Sequence, residues 1–413
     1  MADEVDVAII GAGPSGLAAA LALREAGISR LVVIERETEA GGVPRHCGHP
    51  PFGVYEFHRL LTGPAYARRL VAQAQAAGIT IRTNTTVTAL HPGGAIAISD
   101  PDQGMTTLAT KRVLIATGAR ETPRSARLVS GSRPVGVLTT GALQSFIYLH
   151  DRAPFERPVI VGTELVSFSA LLTCKRAGIR PQAMIEEKAG PTAYALCAAY
   201  PRLSGIPLHY ATRLAEIQGR DRVESAVIEN AAGRRETISC DGVLFTGRFV
   251  PASELVRMGP FDLDPETGGP VVDQYGRLSD PAYYATGNLL RPIETSAWCH
   301  AEGRAAGRTI ADDLAGKLPA PGNVTRIACG EGLRYVMPQR IAPGSGASSS
   351  HSALQLRAAY PLAGRLILEA DGKPVWSKSI RLKPERRYLL PRATLSPYLA
   401  AAKLLLRVEQ TSR

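Results

Sequence analysis

Apolar positions along this chain fall into short runs separated by glycine-marked turns, and the runs alternate between strand and helix periods. VDVAII (5–10) is a continuous apolar run of strand length, and residues 14–27 carry small apolar side chains at helical spacing up to Gly27. LVVIE (31–35) predicts a second strand, 64–77 a helix opened by Pro64 and closed by Gly78, and ITIRT (79–83) a third strand. Alternating segments between 86 and 110 predict a small meander, and KRVLIATG (111–118) a returning buried strand with a glycine turn.

The same order then recurs. RPVIVG begins near 157, a helix covers 164–177, and PQAMIEE, IPLHY, alternating segments at 213–219 and 223–229, and DGVLFTG (241–247) follow. A repeat spaced by about 150 residues marks a duplicated domain rather than a solenoid. PAYYATGNLL (281–290) and a helix over 297–315 come next. From 320 the texture changes to strand-like alternation in ALQLRAAY, RLILEADGKPVWSKSIRL and AKLLLRVE, with Asp371-Gly372 as a hairpin turn and APGSGASSS (342–350) as a linker or loop.

GAGPSG (11–16) stands between the first strand and the first helix, the context that gives G-x-G-x-x-G its meaning. Gly11 allows the tight turn, Gly13 lets the backbone approach a pyrophosphate, and Gly16 lets helix and strand pack closely. Pro14 and Ser15 open the helix whose N-terminus faces the phosphates. Glu35, with Arg36 beside it, closes the second strand at the distance expected of a ribose-binding acid. The predicted fold class is therefore α/β, with two Rossmann-like dinucleotide-binding domains and a small β-rich C-terminal domain. Residues 1–125 and 270–318 form the first domain, 126–269 the second, and 319–413 a basic β-rich third.

At the matching turn of the second domain the sequence reads VGTELVSF (161–168). Gly162 is kept, but Glu164 and Ser167 stand where further glycines are needed. A carboxylate there repels a pyrophosphate and fills its space, so this domain is expected to bind NAD(P)H weakly or not at all. Glu186 and Glu187 end the following strand like a ribose-binding acid, or persist as an inherited trace.

Composition narrows the class. The 413 residues suffice for two or three cores, and 45% hydrophobic with 21% charged residues is ordinary for a globular enzyme. Six singly placed cysteines with no CxxC pair argue for a reducing, cytoplasmic setting, and against a zinc site or an in-chain iron–sulfur cluster. No run is apolar enough to predict a transmembrane segment, and the acidic N-terminus does not read as a signal peptide. The net charge of +11 is uneven: residues 1–319 hold 33 Lys+Arg against 32 Asp+Glu, residues 320–413 hold 15 against 5. That basic module is either an idle surface or a docking surface for an acidic partner or an anionic lipid face, and its sparse aromatic residues argue against nucleic acid.

Further motifs separate FAD from NAD. IATGARETP (115–123) resembles the ATG motif of flavin disulfide-reductase-type enzymes and nominates Ala116, Thr117 and Gly118. Val87 matches the residue whose backbone meets the adenine in that group. YYATGNLL resembles the group's second flavin fingerprint, with Gly287 kept and Asn288 in place of the usual aspartate. The helix opened near Thr295 would aim its positive end at the flavin pyrimidine edge. In EAGGVPRHCGHPPFG (39–53), Gly42, Arg45, His46 and Cys47 either line the flavin or belong to a packed loop. Cys47 has no partner cysteine for a dithiol relay. His300, at the start of the last long helix, is a general-base candidate or a surface histidine.

Taken together, GAGPSG, AGGVPRHCGHPPFG, IATGARETP, VGTELVSFSALL and ATGNLLRPIETSAW resemble the α-subunit family of multi-subunit FAD-dependent dehydrogenases and oxidases, over roughly residues 1–318. This family includes opine oxidases, hydrogen cyanide synthase and dye-linked proline dehydrogenases. The resemblance implies the glutathione-reductase-like arrangement of FAD and NAD(P) domains and bound FAD. Its implied partners are a small iron–sulfur protein and a second FAD-containing dehydrogenase subunit. The implied substrate is an amino acid, opine or hydroxy acid such as glycerol 3-phosphate. Many members append a cysteine-rich segment; here the tail holds only Cys329. Two other readings stand beside this one: a stand-alone NAD(P)H-dependent reductase of ferredoxin-reductase type, and a redox-silent scaffold subunit.

Overall fold

The computed structural model describes residues 4–320, 322, 324–342 and 349–410. The chain divides into two compact units, one made of 1–42, 67–119 and 251–413, the other of 43–66 and 120–250. Segment 343–348, most of the expected 342–350 linker, lies outside the described residues.

In the first unit, β1 (Glu4–Ile10), β2 (Leu31–Ile34), β3 (Thr80–Arg82), β4 (Thr86–Leu90), β5 (Ile96–Asp100) and β6 (Gly104–Ile115) order as β3-β2-β1-β6-β5-β4. Strand β1 pairs in parallel with β2 and β6, and Tyr283–Ala285 adds a parallel strand beyond β6. Strands β4, β5 and the N-terminal part of β6 form the antiparallel meander. Helix Pro14–Glu25 covers the sheet, and its small side chains let the Ser296–Leu314 helix cross it closely. A Cβ at Gly303 would strike the Ser15 backbone, and one at Gly307 the Ala19 carbonyl, so both positions need glycine for this crossing.

The second unit repeats the pattern. Its parallel sheet runs Leu208–His209, Ala183–Ile185, Pro158–Val161, Gly242–Phe245, Val137–Thr139, with a meander of Thr212–Gln218, Ser225–Asn230 and Arg235–Ser239. The duplicated α/β architecture expected from the repeat is thus present in full. The helix Thr140–His150 has no clear apolar stripe to announce it: Gln144 is buried while Phe146 and Leu149 are partly exposed.

The C-terminal strands belong to the first unit and make a five-stranded and a three-stranded sheet around one apolar core. Asp371 and Gly372 both take positive φ (47° and 81°) in the hairpin joining Leu362–Ala370 to Lys373–Leu382, the geometry a two-residue turn of this kind requires. Tyr335 and Met337 leave that core and join the buried cluster of Ile10, Val32 and Tyr283. No helix among the described residues is long and apolar enough to cross a membrane.

Candidate functional site

The glycine loop of the first unit is explained by its contacts, one position at a time. Gly11 has φ +105°, and a Cβ there would lie 2.6 Å from the Ala116 carbonyl oxygen. A Cβ at Gly16 would collide with the Gly11 carbonyl. Gly13 is different: its φ and ψ (−80°, −177°) suit any residue, and among the described residues its Cβ would meet nothing nearer than the Gly42 Cα at 4.0 Å. No contact among the described residues requires glycine at position 13, and the space beside its Cα is left open.

Around this loop the other nominated residues assemble. Glu35 is 7% exposed; its carboxylate accepts from the Ala12 N–H (2.9 Å) and the Glu37 N–H (3.0 Å), tying the loop to the end of β2. Arg36 points out and pairs with Glu37 at 3.5 Å. Gly42, at φ +64°, packs its Cα against Gly13, where a Cβ would come to 2.8 Å. Val87 is buried in β4 opposite Ile98. Ala116 follows β6, the Thr117 hydroxyl donates to the Ala252 carbonyl (2.8 Å), and Gly118 takes φ +77° while its carbonyl accepts from Ala252 N–H. Pro14 takes the first helical position, and the Ser15 hydroxyl donates to Thr286 Oγ1 (3.2 Å) next to Gly287.

Asn288 has a local role that the motif did not disclose. Its Nδ2 donates to the Glu294 carbonyl (3.1 Å), and its Oδ1 accepts from the Glu294 N–H (2.7 Å). An aspartate has no donor for that carbonyl, so the amide clasps the 288–294 loop in a way the usual residue cannot. Thr295 caps the Ser296–Leu314 helix, accepting from Trp298 N–H at 3.5 Å, and His300 lies half-buried at its start.

Arg45, His46 and Cys47 lie in the second unit, on the short turn Val43–His46 and just after it. This loop packs on the Thr140–His150 helix. The Cys47 thiol faces the Val43 carbonyl (3.5 Å) and Gln144 Oε1 (3.7 Å), and a Cβ at Gly48 would run into the Tyr148 ring. Burial, helped by the Glu121 carboxylate, pushes the Cys47 thiol up to about 12, so it carries no nucleophilic thiolate at neutral pH. Of the two readings left open for this loop, the packing one accounts for these contacts. Replacing Cys47 by serine is expected to change turnover by less than about twofold, the range of a substitution outside the chemistry. A loss of about a hundredfold, some 2.7 kcal/mol in the barrier, would restore a direct role for the thiol.

In the second unit the corresponding turn is filled from within. The Glu164 carboxylate accepts from Thr246 Oγ1 (3.1 Å) and Ser167 Oγ (3.3 Å), and it occupies the space beside Gly162 and Gly247. Burial, with Glu186 nearby, raises its pKa. Glu186 is equally engaged, accepting from the Thr163 hydroxyl, from Thr192 Oγ1 (3.1 Å) and from the Lys188 N–H (3.1 Å). Thr192 N–H in turn donates to Thr163 Oγ1 (2.9 Å), closing the 188–192 segment over the turn. Thr163, Thr192 and Thr246 carry no motif of their own, and only the fold brings them to Glu164 and Glu186. Among the described residues no cluster of His, Cys, Asp and Glu is arranged to hold a metal.

The first-unit cradle fits FAD. Gly13 leaves the approach open, the Glu35 carboxylate lies beside the loop at the end of β2, and the first helix presents its N-terminus. A family model described as pyridine nucleotide-disulphide oxidoreductase matches residues 5–303. The chain is 29% identical over 186 residues to an opine oxidase subunit of Rhizobium meliloti (strain 1021), covering 45% of this chain and 39% of that one. It is 24% identical over 367 residues to the alpha subunit of sarcosine oxidase from the same organism, covering 82% of this chain and 33% of that one. The chain therefore spans well under half the length of these two relatives. Thioredoxin reductase of T. acidophilum has a similar fold, with TM-score 0.63 and 22% identity over 76% of this chain and 99% of that one.

Proposed function

Because the chain belongs to the pyridine nucleotide-disulphide oxidoreductase family and is an FAD-dependent oxidoreductase, we propose that it serves as the electron-transfer subunit of a dehydrogenase complex. The complex would oxidise an amino acid, an opine or a hydroxy acid of glycerol 3-phosphate type. Bound FAD supplies two-electron chemistry, taking up a hydride equivalent and passing electrons onward. This chain's own residues hold it: the 11–16 loop and the first helix take the pyrophosphate, Glu35 the ribose, and the 287–288 turn with the Thr295-capped helix the flavin end.

The observation that carries the reading is Glu164. A dehydrogenase that took hydride from NAD(P)H would need a glycine-lined, uncharged second turn, whereas this turn is closed by a hydrogen-bonded carboxylate. The similarity to the opine and sarcosine oxidase subunits supports a donor of amino-acid type. The partners this reading calls for are a small iron–sulfur protein and a second FAD-containing dehydrogenase subunit. Residues 320–413, with 15 basic against 5 acidic residues, offer an acidic partner a complementary surface. Mixing the FAD-loaded protein anaerobically with NADH or NADPH is expected to leave the flavin absorbance unchanged over seconds. Rapid bleaching by either would replace the reading with a stand-alone NAD(P)H-dependent reductase of ferredoxin-reductase type.

A further inference from the structure

Segment 287–298 carries the turn and the helix start assigned above to the flavin end, and three C-terminal side chains hold it at three separate points. The first hold acts on Gly287. Arg291, 0% exposed, donates from Nη1 to the Gly287 carbonyl (2.8 Å), from Nε to Gln355 Oε1 (3.0 Å), and from Nη2 to Glu302. Gln355, on strand Ala353–Ala358, donates back to Glu302 Oε1 (2.8 Å) and accepts from Arg387 Nη1 (2.9 Å). A closed ring of bonds thus orients the guanidinium that grips Gly287.

The second hold acts on Asn288. Arg357, on the same strand, pairs with the Glu294 carboxylate at 2.9 Å, and Glu294 is the residue whose backbone clasps the Asn288 amide. The third acts on the helix start: the Arg387 guanidinium lies over the Trp298 indole, 3.8 Å from its centroid, in the first turn after the Thr295 cap. Gln355, Arg357 and Arg387 come from a module that no nucleotide-binding motif covers, yet each reaches a different part of the flavin-facing segment. Packing alone does not call for this arrangement, since apolar residues of similar volume stabilise a buried interface at least as well as buried ion pairs do. What directional, charge-assisted bonds add is position.

We infer that Gln355, Arg357 and Arg387 are positioning residues for the flavin, so that the C-terminal β-module completes the FAD site instead of merely adjoining it. The inference rests on reading 287–298 as the flavin-facing segment. It is tested on the full chain with Q355M, which removes the ring of bonds without changing charge, and R387K, which keeps the charge but loses the planar stack. E369Q, which loosens the Arg407–Glu369 pair (2.7 Å) in the same module away from the ring, is the control.

Three quantities are read: FAD affinity of the apoprotein, visible circular dichroism of the bound flavin, and the thermal midpoint of the apoprotein. Q355M and R387K are expected to bind FAD about tenfold more weakly, as for one lost charge-assisted bond, and to change the dichroism. E369Q should do neither. Lower thermal midpoints with unchanged affinity and dichroism would overturn the inference and leave a purely structural network. If either variant does not fold, hydrogen exchange on the wild-type chain decides. FAD should slow exchange at 353–358 and 387–390 as well as at 287–291, and protection stopping at 287–291 would overturn the inference. A wild-type chain that binds no FAD would instead remove the flavin reading on which the inference rests.

Discussion

Gly13→Ala is expected to abolish tight FAD binding while leaving the fold in place. At φ −80° and ψ −177° an alanine is unstrained, and its methyl would meet only the Gly42 Cα at 4.0 Å, an ordinary contact. Losing glycine at a helix N-cap costs about 1 kcal/mol or less, so the apoprotein should melt within a few degrees of wild type. The methyl nevertheless projects into the approach that the turn leaves open for a pyrophosphate. The expected loss in affinity is at least about a hundredfold, or some 2.7 kcal/mol. Gly16→Ala makes the contrast, because its methyl would collide with the Gly11 carbonyl and the variant should lose stability as well as cofactor. Flavin content of the purified variants and melting of the apoproteins separate the two. A Gly13→Ala protein that stays fully yellow would show that the ligand does not pass this turn.

Acidification is expected to destabilise the first unit through His351. This imidazole is 3% exposed, and neither ring nitrogen has a hydrogen-bond partner among the described residues. Burial, with Arg291, Arg392 and Arg387 opposing the pull of Glu302, lowers its pKa from 6.5 to about 4. The folded-state value is thus the depressed one, and between pH 6.5 and about 4 the unfolded chain binds the extra proton. Stability is fully present above pH 6.5 and falls as pH drops through that window, by about 3 kcal/mol in all. Glu302, whose pKa the Arg291 guanidinium pulls down against burial, acts in the same direction at lower pH. Asp273 in the same unit has a raised value and acts in the opposite direction, as Glu121 and Glu164 do in the second unit. The clean measurement is therefore a difference: thermal midpoints of wild type and His351→Gln from pH 7 to 4.5. The variant should show the shallower decline, and parallel curves would rule His351 out as the cause.

Much of this protein is legible in its sequence, for reasons that are local. GAGPSG lies between a four-residue buried run and a helix of small residues, and backbone sterics at Gly11 and Gly16 admit no other residue. The duplicated order of strand, turn and helix was likewise readable, because strand and helix periods are properties of neighbouring residues. Glu164 was readable as a carboxylate placed in the second turn, and the structure shows it hydrogen-bonded there beside Gly162 and Gly247. In the Cys47 loop the residue types alone left a flavin contact and a packed loop equally open. Whether a thiol is reactive depends on the desolvation and charge around it, here from Gln144 and Glu121, which are 97 and 74 residues away in sequence.

The chain by itself determined the α/β class, the place of the dinucleotide turn, the loss of glycines in its duplicate and the concentration of positive charge after residue 320. Only the tertiary structure decided what the polar residues do. Asn288 as a clasp on Glu294, Thr163 and Thr192 as the lock on Glu186, and the ring of Arg291, Glu302, Gln355 and Arg387 are all made by side chains whose motifs say nothing of their partners. The physical reason is that apolar periodicity is written along the chain by the geometry of each element. A buried hydrogen bond is satisfied by whichever group the packing of distant elements brings within about 3 Å.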